Sequence, residues 1–201
     1  MEVIIGPDGI ARCGWGGSTP DYQEYHDFEW GMPVDDEYRL FEKLCLEGFQ
    51  SGLSWLTILR KRDDFRRVFF DFDYGMVAGM GENDVLRLLE DASIVRHRGK
   101  IEAAINNARR AIEIAREVGS LGALVWRFEP ADRVPTVIPA VTAESTALAK
   151  ELKRRGFRFF GPTTAYAFMQ AMGLVNDHLP GCEARERVHE ARERFERPSG
   201  L

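Results

Sequence analysis

Two pairs of metal-ligating side chains lie towards opposite ends of this chain, and they limit its fold more than any other feature. Cys13 and His26 form a Cys-x12-His spacing, and His178 and Cys182 form a His-x3-Cys spacing. Together they offer two thiolates and two imidazoles, the donor set of a closed tetrahedral zinc site. If the four meet, one ion ties the N- and C-terminal regions together across everything between them. The pattern predicts a closure of the fold before it predicts any chemistry.

The remaining composition bounds what such a site could serve. A chain of 201 residues with 44% apolar residues suits one large domain or a compact two-lobed one with a sizeable core. The three cysteines, Cys13, Cys45 and Cys182, are too few and of odd number for a disulfide framework. Cys45 falls in the apolar phase of a helix with Leu40, Phe41 and Leu44, which makes it a core residue rather than a ligand. No signal peptide and no long apolar run is visible, so the expectation is a soluble cytoplasmic protein without membrane association. A reducing compartment would keep the thiols available for metal.

A net charge of -5 argues at first against nucleic acid, yet the positive charges cluster. One group is Arg60, Lys61, Arg62, Arg66 and Arg67; a second is Arg96, His97, Arg98 and Lys100; a third is Lys150, Lys153, Arg154, Arg155 and Arg158. Acidic residues crowd elsewhere, from Asp35 to Glu42 and from Glu82 to Asp91. Two readings stand: a basic face on an acidic protein, or ordinary solvated helix surface.

Apolar periodicity predicts a mostly helical chain. Asp35 and Asp36 can cap a helix through Tyr38, Leu40, Phe41, Leu44 and Cys45. Gly48 and Gly52 flank an expected break, and Ser54 can cap the next helix through Trp55, Ile58 and Leu59. Further helices are predicted over Asn83 to Asp91, Lys100 to Glu117, Ala143 to Arg154 (stopped by Gly156) and Thr163 to Val175. Glu183 to Arg197 reads as a charged helix or a partly frayed tail. Val3 to Ile5 is either a short strand or a disordered leader, and the proline-rich stretch from Pro130 to Val141 is a loop.

Four features carry possible chemistry. The segment from Asp91 to Lys100 joins two predicted helices and presents main-chain N–H groups beside Arg96, Arg98 and Lys100. Helix N-termini hold phosphates through oriented amides and the helix dipole, so this corner could grip a nucleic-acid backbone without reading bases. It could equally be an ordinary helix–helix corner. Trp15, Tyr22, Tyr25, Phe28, Trp30 and Trp55 gather around the first metal pair at spacings that fit no single helix face. They could line a pocket that stacks a flat, cationic ring, or simply pack in the core. Glu47 stands among apolar neighbours near a predicted helix end, where it is either exposed and unimportant or buried and functional. Lys100 could be a Schiff-base nucleophile, but no aspartate follows it before Asp132, so it reads as a phosphate contact or a structural residue.

Taken together, these residues resemble 3-methyladenine DNA glycosylase I, the zinc-containing bacterial family of the helix-hairpin-helix superfamily. The matching stretches begin with Arg12-Cys13-Gly14-Trp15, Tyr25-His26-Asp27 and Glu29-Trp30-Gly31. They continue with Leu46-Glu47-Gly48, Gly52-Leu53-Ser54-Trp55 and Arg96-His97-Arg98-Gly99-Lys100. The last are Lys153-Arg154-Arg155-Gly156-Phe157 and Gly173-Leu174-Val175-Asn176-Asp177-His178. The likeness spans residues 12 to 182. It implies an all-α helix-hairpin-helix glycosylase fold with a structural zinc clamp joining the two terminal regions.

Residue by residue, the resemblance makes Cys13, His26, His178 and Cys182 the ligands of one structural Zn2+. It makes Glu47 the catalytic, base-recognising carboxylate, and Tyr25, Trp30, Trp55 and Tyr22 the aromatic groups around the base. Gly52 and Leu53 fall where the family inserts a turn into the gap left by the extruded nucleotide. Arg96, His97, Arg98, Gly99 and Lys100 fall where its hairpin holds phosphates. Phe49 departs from the pattern, standing where a polar residue is expected beside Gln50, and Ser93 replaces a glycine at the hairpin approach. The leader is also longer than the pattern.

The expected organisation is a leader over residues 1–11, one two-lobed domain over 12–182 with the helix-hairpin-helix at about 82–117, and a charged helical tail over 183–201. The expected function is a monofunctional DNA glycosylase of base excision repair. It would flip out and hydrolytically release 3-methyladenine from alkylated double-stranded DNA, with no obligate protein partner. A non-catalytic binder of damaged DNA and a metallohydrolase with an open zinc site are the alternatives. The four-ligand set argues against the second.

Overall fold

The structure is a computed structural model that describes residues 2–131 and 138–200. Two short strands come first, β1 (Val3–Ile5) and β2 (Ala11–Cys13). The N-terminal helices are α1 (Pro20–Phe28), α2 (Glu37–Gln50), α3 (Trp55–Arg60), α4 (Arg62–Val68) and α5 (Tyr74–Ala78). Then follow α6 (Glu82–Glu90), α7 (Arg98–Val118), α8 (Leu121–Val125), α9 (Ala143–Arg154), α10 (Pro162–Ala171) and α11 (Ala184–Arg194).

The helices begin where side chains replace missing backbone partners. The Arg39 N–H donates to Asp36 at 2.8 Å to start α2, and the Thr57 N–H donates to Ser54 at 3.2 Å to start α3. Both caps follow the sequence expectation, as do the bounds of α9 and, to within two residues, of α6 and α7. α2 runs through Gly48 to Gln50, so the break expected at Gly48 falls after it. A glycine is needed there for another reason: a Cβ at position 48 would sit 3.2 Å from the Phe159 carbonyl oxygen.

α2 is the central element, packing against α3, α7, α8 and α10. Its apolar residues Leu40, Phe41, Leu44 and Phe49 are buried, each contributing about 1.5–3 kcal/mol on removal from water. Phe49 packs at a tilt on Phe65 with ring centroids 4.6 Å apart, and Phe65 and Phe69 continue the cluster to Phe72. α5 and α6 lie on α7, and α9 lies on α10. Cys45 is buried in this core, as its phase in α2 predicts.

Four points depart from the sequence reading. The chain is not all helical: β1 and β2 pair antiparallel, with Val3 opposite Cys13, so the first residues form a hairpin that ends on a candidate metal ligand. α1 exists although no helix is read there. Its start is encoded by Thr19 at the cap position, Pro20 in the first turn and Asp21 after it. The short helices α4, α5 and α8 are too brief to show a clear apolar period. The helix expected over Thr163 to Val175 ends at Ala171, where Leu174 N–H returns to the Met169 carbonyl at 2.9 Å.

The charged C-terminal segment is folded rather than frayed over α11. Val188 is buried, Phe195 packs on Trp126 at 4.5 Å, and the Arg192 guanidinium donates to the Gly173 carbonyl. Of the loop expected over Pro130 to Val141, residues 132–137 lie outside the described residues.

Gly173 is the tightest backbone approach behind the site. It has φ +77°, and a Cβ there would lie 2.5 Å from the Pro33 backbone, just past Trp30. Left-handed strain costs about 1–2 kcal/mol and the overlap about 1–3 more. Gly173→Ala is therefore expected to lower unfolding free energy by about 2–5 kcal/mol, read by urea denaturation.

Candidate functional site

The four predicted metal donors meet. Cys13 ends β2, His26 lies in α1, and His178 and Cys182 come from the loop between α10 and α11. Their ligand atoms all lie within 4.8 Å of one another, and all four residues are buried. Cys182 Sγ is 3.5 Å from His178 Nδ1 and 3.6 Å from His26 Nε2, and Cys13 Sγ is 3.9 Å from His178 Nδ1. A tetrahedral zinc with ordinary Zn–S and Zn–N bonds sets sulfur and nitrogen about 3.6 Å apart. The donor spacing thus fits such an ion, and nothing in the set leaves an open position for water.

The outer atoms of both imidazoles are also fixed. His26 Nδ1 lies 2.8 Å from Asp27 Oδ1, which leaves Nε2 for the cluster. Arg12, itself buried, braces Asp27 through Nη2 at 2.7 Å and Asp8 through Nη2 at 2.8 Å. His178 Nε2 lies 3.0 Å from the Trp30 carbonyl, which leaves Nδ1 for the cluster. Such partners select the tautomer and aim of a metal-ligating histidine. The Cys182 thiol is pulled down by the hydrogen bond with Cys13, and both imidazoles add to this against the cost of burial. Cys13 is pushed up by the same hydrogen bond and by burial. A dication between them would favour both as thiolates.

Against this cluster lies a cavity of about 240 Å³ lined chiefly by Trp15, Tyr22, Tyr25, Trp30, Glu47 and Trp55. The helical turn of α1 puts Tyr22 and Tyr25 on one face beside His26. Trp15 packs edge-on against Trp30 at 4.9 Å and Tyr22 at 5.1 Å, and Tyr25 meets Trp55 at 5.4 Å. Trp30 also packs edge-on against His178 at 4.7 Å, so a candidate metal ligand and a cavity wall are in direct contact. Burial and the nearby Glu47 charge push the Tyr25 hydroxyl well up, keeping it a neutral phenol. The same two causes raise Tyr22.

Glu47 resolves the alternative left by the sequence: it is 4% exposed. Its Oε1 accepts from Lys43 Nζ at 2.9 Å, and Oε2 has no partner among the described residues. The cavity is therefore an aromatic box ending in a carboxylate with one oxygen free to accept. Trp55 Nε1 is buried and has no hydrogen-bond partner among the described residues. Phe49 does not line the cavity; it turns into the phenylalanine cluster, so its departure from the family pattern leaves the box unchanged.

The expected DNA-contacting residues form a nearby surface. Gly52 and Leu53 lie in an exposed turn between α2 and α3, Gly52 with φ +84° and Leu53 41% exposed. Arg96, His97 and Arg98 are exposed at the start of α7, where His97 accepts from the Lys100 N–H. Arg98 is paired with Glu82 at 2.9 Å and Glu102 at 3.1 Å. Gly99 lies close under the His97 and Phe159 rings. Lys100 takes the structural one of its two readings: its ammonium donates to the Phe49 carbonyl at 2.9 Å and the Ser51 carbonyl at 2.6 Å. It caps the end of α2 and ties α7 to the exposed turn.

Sequence reasoning missed Lys43, Gln50 and Gln170, while Trp15 lines the cavity with the other aromatic residues grouped around the first metal pair. The i,i+4 spacing of Lys43 and Glu47 was the available signal for the first. Gln170 reaches the cavity from α10, and its amide donates to Asp177 at 2.9 Å, next to His178. No short-range pattern connects residues so far apart in the chain.

A helical fold with a two-thiol, two-imidazole cluster beside an aromatic box that contains a carboxylate has the shape and chemistry to take up one flat, electron-poor ring. Comparison with known proteins narrows this class. A family model described as methyladenine glycosylase matches residues 15–186. DNA-3-methyladenine glycosylase 1 of Escherichia coli (strain K12) is 50% identical over 179 residues, 86% of this chain and 96% of that protein. DNA-3-methyladenine glycosylase of Haemophilus influenzae is 43% identical over 180 residues, 87% of this chain and 97% of that protein. The structure of 3-methyladenine DNA glycosylase I from Staphylococcus aureus superposes with a TM-score of 0.82 at 37% identity, covering 87% of this chain and 96% of that one. The chain belongs to the methyladenine glycosylase family.

Three of the four tryptophans line the cavity, while Trp126 is spent on the Val34 carbonyl at 2.9 Å. A flat cationic heterocycle is therefore expected to quench tryptophan fluorescence, equally in Trp126→Phe. Loss of one stacking face in Trp55→Leu should cost about 1 kcal/mol of binding, roughly fivefold in affinity, in the same titration.

Proposed function

We propose that this chain is a monofunctional DNA glycosylase that flips 3-methyladenine out of alkylated double-stranded DNA and releases it by hydrolysis. The observation that carries the reading is the aromatic cavity ending in buried Glu47 with one free carboxylate oxygen. The structure of the Staphylococcus aureus relative, described as the basis of 3-methyladenine recognition, supports it.

The chemistry follows from the charge on the substrate. Methylation at N3 makes the adenine cationic and weakens its bond to the sugar, so no strong acid is required. The bond pair leaves with the base, which departs neutral. Water adds to the sugar carbon and loses a proton, leaving an abasic site. The protein has to extract the nucleotide, at a cost of about a few kcal/mol that is least for a damaged base. Leu53 acts as the apolar wedge, with Gly52 forming the turn that carries it. Tyr25, Trp55, Trp30 and Tyr22 hold the extruded ring by stacking, strengthened by its positive charge. Glu47 accepts a hydrogen bond from the base and, as an anion, favours cationic over neutral purines.

On this reading, α6 and α7 with the corner between them form a helix-hairpin-helix. Arg96, His97, Arg98 and Gly99 with the first amides of α7 hold phosphates. Lys100 supports the corner rather than forming a Schiff base, in keeping with its ammonium being bound to two carbonyls. Residues 12–182 then act as one domain. The localisation is cytoplasmic, in keeping with three free thiols; among the described residues no helix is long and apolar enough to cross a membrane.

The metal is read as one structural Zn2+ held by Cys13, His26, His178 and Cys182. When bound, it supplies charge neutralisation of two thiolates and a covalent-strength link between the chain's ends. Arg12 and Asp27 orient His26, and the Trp30 carbonyl orients His178, so the clamp also fixes a wall of the cavity.

Two outcomes test this function. Incubated with N-methylated duplex DNA, the protein should release free 3-methyladenine, and Glu47→Gln should lower kcat/KM on the order of 10²-fold with the melting temperature kept; absence of base release from folded protein would contradict the reading. Stripping metal with a chelator should cost several kcal/mol, about 10 °C of melting temperature at about 2–4 °C per kcal/mol. Activity lost with stability unchanged would instead make the metal catalytic.

A further inference from the structure

Lys43 is a buried charge that the family reading leaves without a role. It lies in α2 one turn before Glu47 and is 4% exposed. Its Nζ is 2.9 Å from Glu47 Oε1 and donates to the Tyr25 hydroxyl at 2.9 Å. It also lies 3.2 Å from the centre of the Trp55 ring and 5.2 Å from that of Tyr25. One ammonium therefore touches three residues that line the base cavity. Lys43 does not line that cavity itself; it lies in a narrow cleft behind Tyr25 and Trp55.

We propose that Lys43 is the positioning residue of the base site, an ammonium that fixes Glu47, Tyr25 and Trp55 from behind and keeps Glu47 an anion ready for a cationic base. This rests on the glycosylase reading above. A carboxylate walled by aromatic rings loses solvation and, alone, takes up a proton rather than remain charged. A protonated Glu47 would no longer discriminate a cationic purine from a neutral one. Pairing on Oε1 supports the charge and leaves Oε2 without a partner among the described residues, on a residue that lines the cavity. The hydrogen bond onto the Tyr25 oxygen leaves the phenol's own proton free to donate.

The other charges around the pair are already engaged. From α1 come Tyr22 and Tyr25, both neutral phenols, and after it Glu29, paired with Arg62 of α4 at 2.8 Å. Arg66 of α4 is paired with Glu42 of α2 at 2.9 Å, and Arg39 of α2 is exposed. α3 contributes the uncharged Trp55 and α10 the uncharged Gln170. Burial pulls the Lys43 ammonium down, and the Glu47 carboxylate opposes this. The Glu47 carboxylate thus supports the charge on Lys43.

The test follows Glu47 directly, by carbon-13 NMR titration of its carboxyl group in metal-loaded protein, alongside the pH profile of kcat/KM for base release. Removing a cation destabilises the anion, so Lys43→Met should raise the pH at which Glu47 titrates by at least one unit. The acid limb of kcat/KM should move up by the same amount, with about a tenfold loss at neutral pH. Lys43→Arg restores a cation and should keep the acid limb near its original place. In a Glu47→Gln background, Lys43→Met should leave no shift of the acid limb and add less than its roughly tenfold loss in the wild-type background. An unmoved Glu47 titration in folded Lys43→Met overturns the proposal, as does lost activity without a shifted acid limb. If the Met variant does not fold, the contrast of Lys43→Gln with Lys43→Arg decides in the same way. Wild-type protein that releases no 3-methyladenine defeats the glycosylase reading, while the NMR titration still decides whether Lys43 holds Glu47 charged.

Discussion

The convergence of Cys13, His26, His178 and Cys182 is the constraint on which the rest of the site depends. It brings a hairpin strand, the first helix and the loop before the last helix to one point. None of these has a large apolar surface of its own: around the cluster, buried apolar residues are few, with Leu179 and Ala184 beside the two cysteines. A small core of this size contributes little, so on the proposed reading metal–ligand bonds and the hydrogen-bonded supports of the two imidazoles carry the junction. The Arg12–Asp27–His26 chain and the His178–Trp30 contact extend the same junction outward. Through Trp30 and the α1 face that carries Tyr25, it sets one wall of the cavity.

The opposite wall comes from an ordinary amphipathic helix with two charges on its buried side. α2 supplies the apolar stripe that anchors it and, one turn apart, Lys43 and Glu47. Burying such a pair is costly and seldom stabilises a fold relative to apolar packing. Its retention in the wall of a cavity is better understood as preorganisation, a negative charge held where a positive ring will arrive. On the proposed reading, selectivity for a cationic base follows from placement rather than from a large number of contacts. Lys100 performs an equivalent bracing task at the other end of α2, fixing the exposed Gly52–Leu53 turn against the start of α7.

Much of this was legible in the sequence, for identifiable reasons. The caps at Asp36 and Ser54 and the long period of α7 are local, and local signals survive in a one-dimensional reading. The candidate metal donors were legible because few chemistries use Cys and His at such spacings. α1 was overlooked because its aromatic residues face a cavity rather than a uniform core, so its apolar period is broken. β1 gains its partner only by pairing with β2, and a three-residue strand carries almost no pattern. Lys43 was overlooked because its i,i+4 spacing from Glu47 signals only a helix-surface pair, whereas its role depends on Tyr25 and Trp55 closing over it across the fold. Gln170 reaches the cavity across a tertiary contact for the same reason.

X-ray absorption spectroscopy at the zinc edge of the metal-loaded protein tests the central claim most directly. The account predicts a four-coordinate shell of two sulfurs at about 2.3 Å and two imidazole nitrogens at about 2.0 Å, with no oxygen from water. A shell without sulfur, or one with a water oxygen beside three protein ligands, would contradict it.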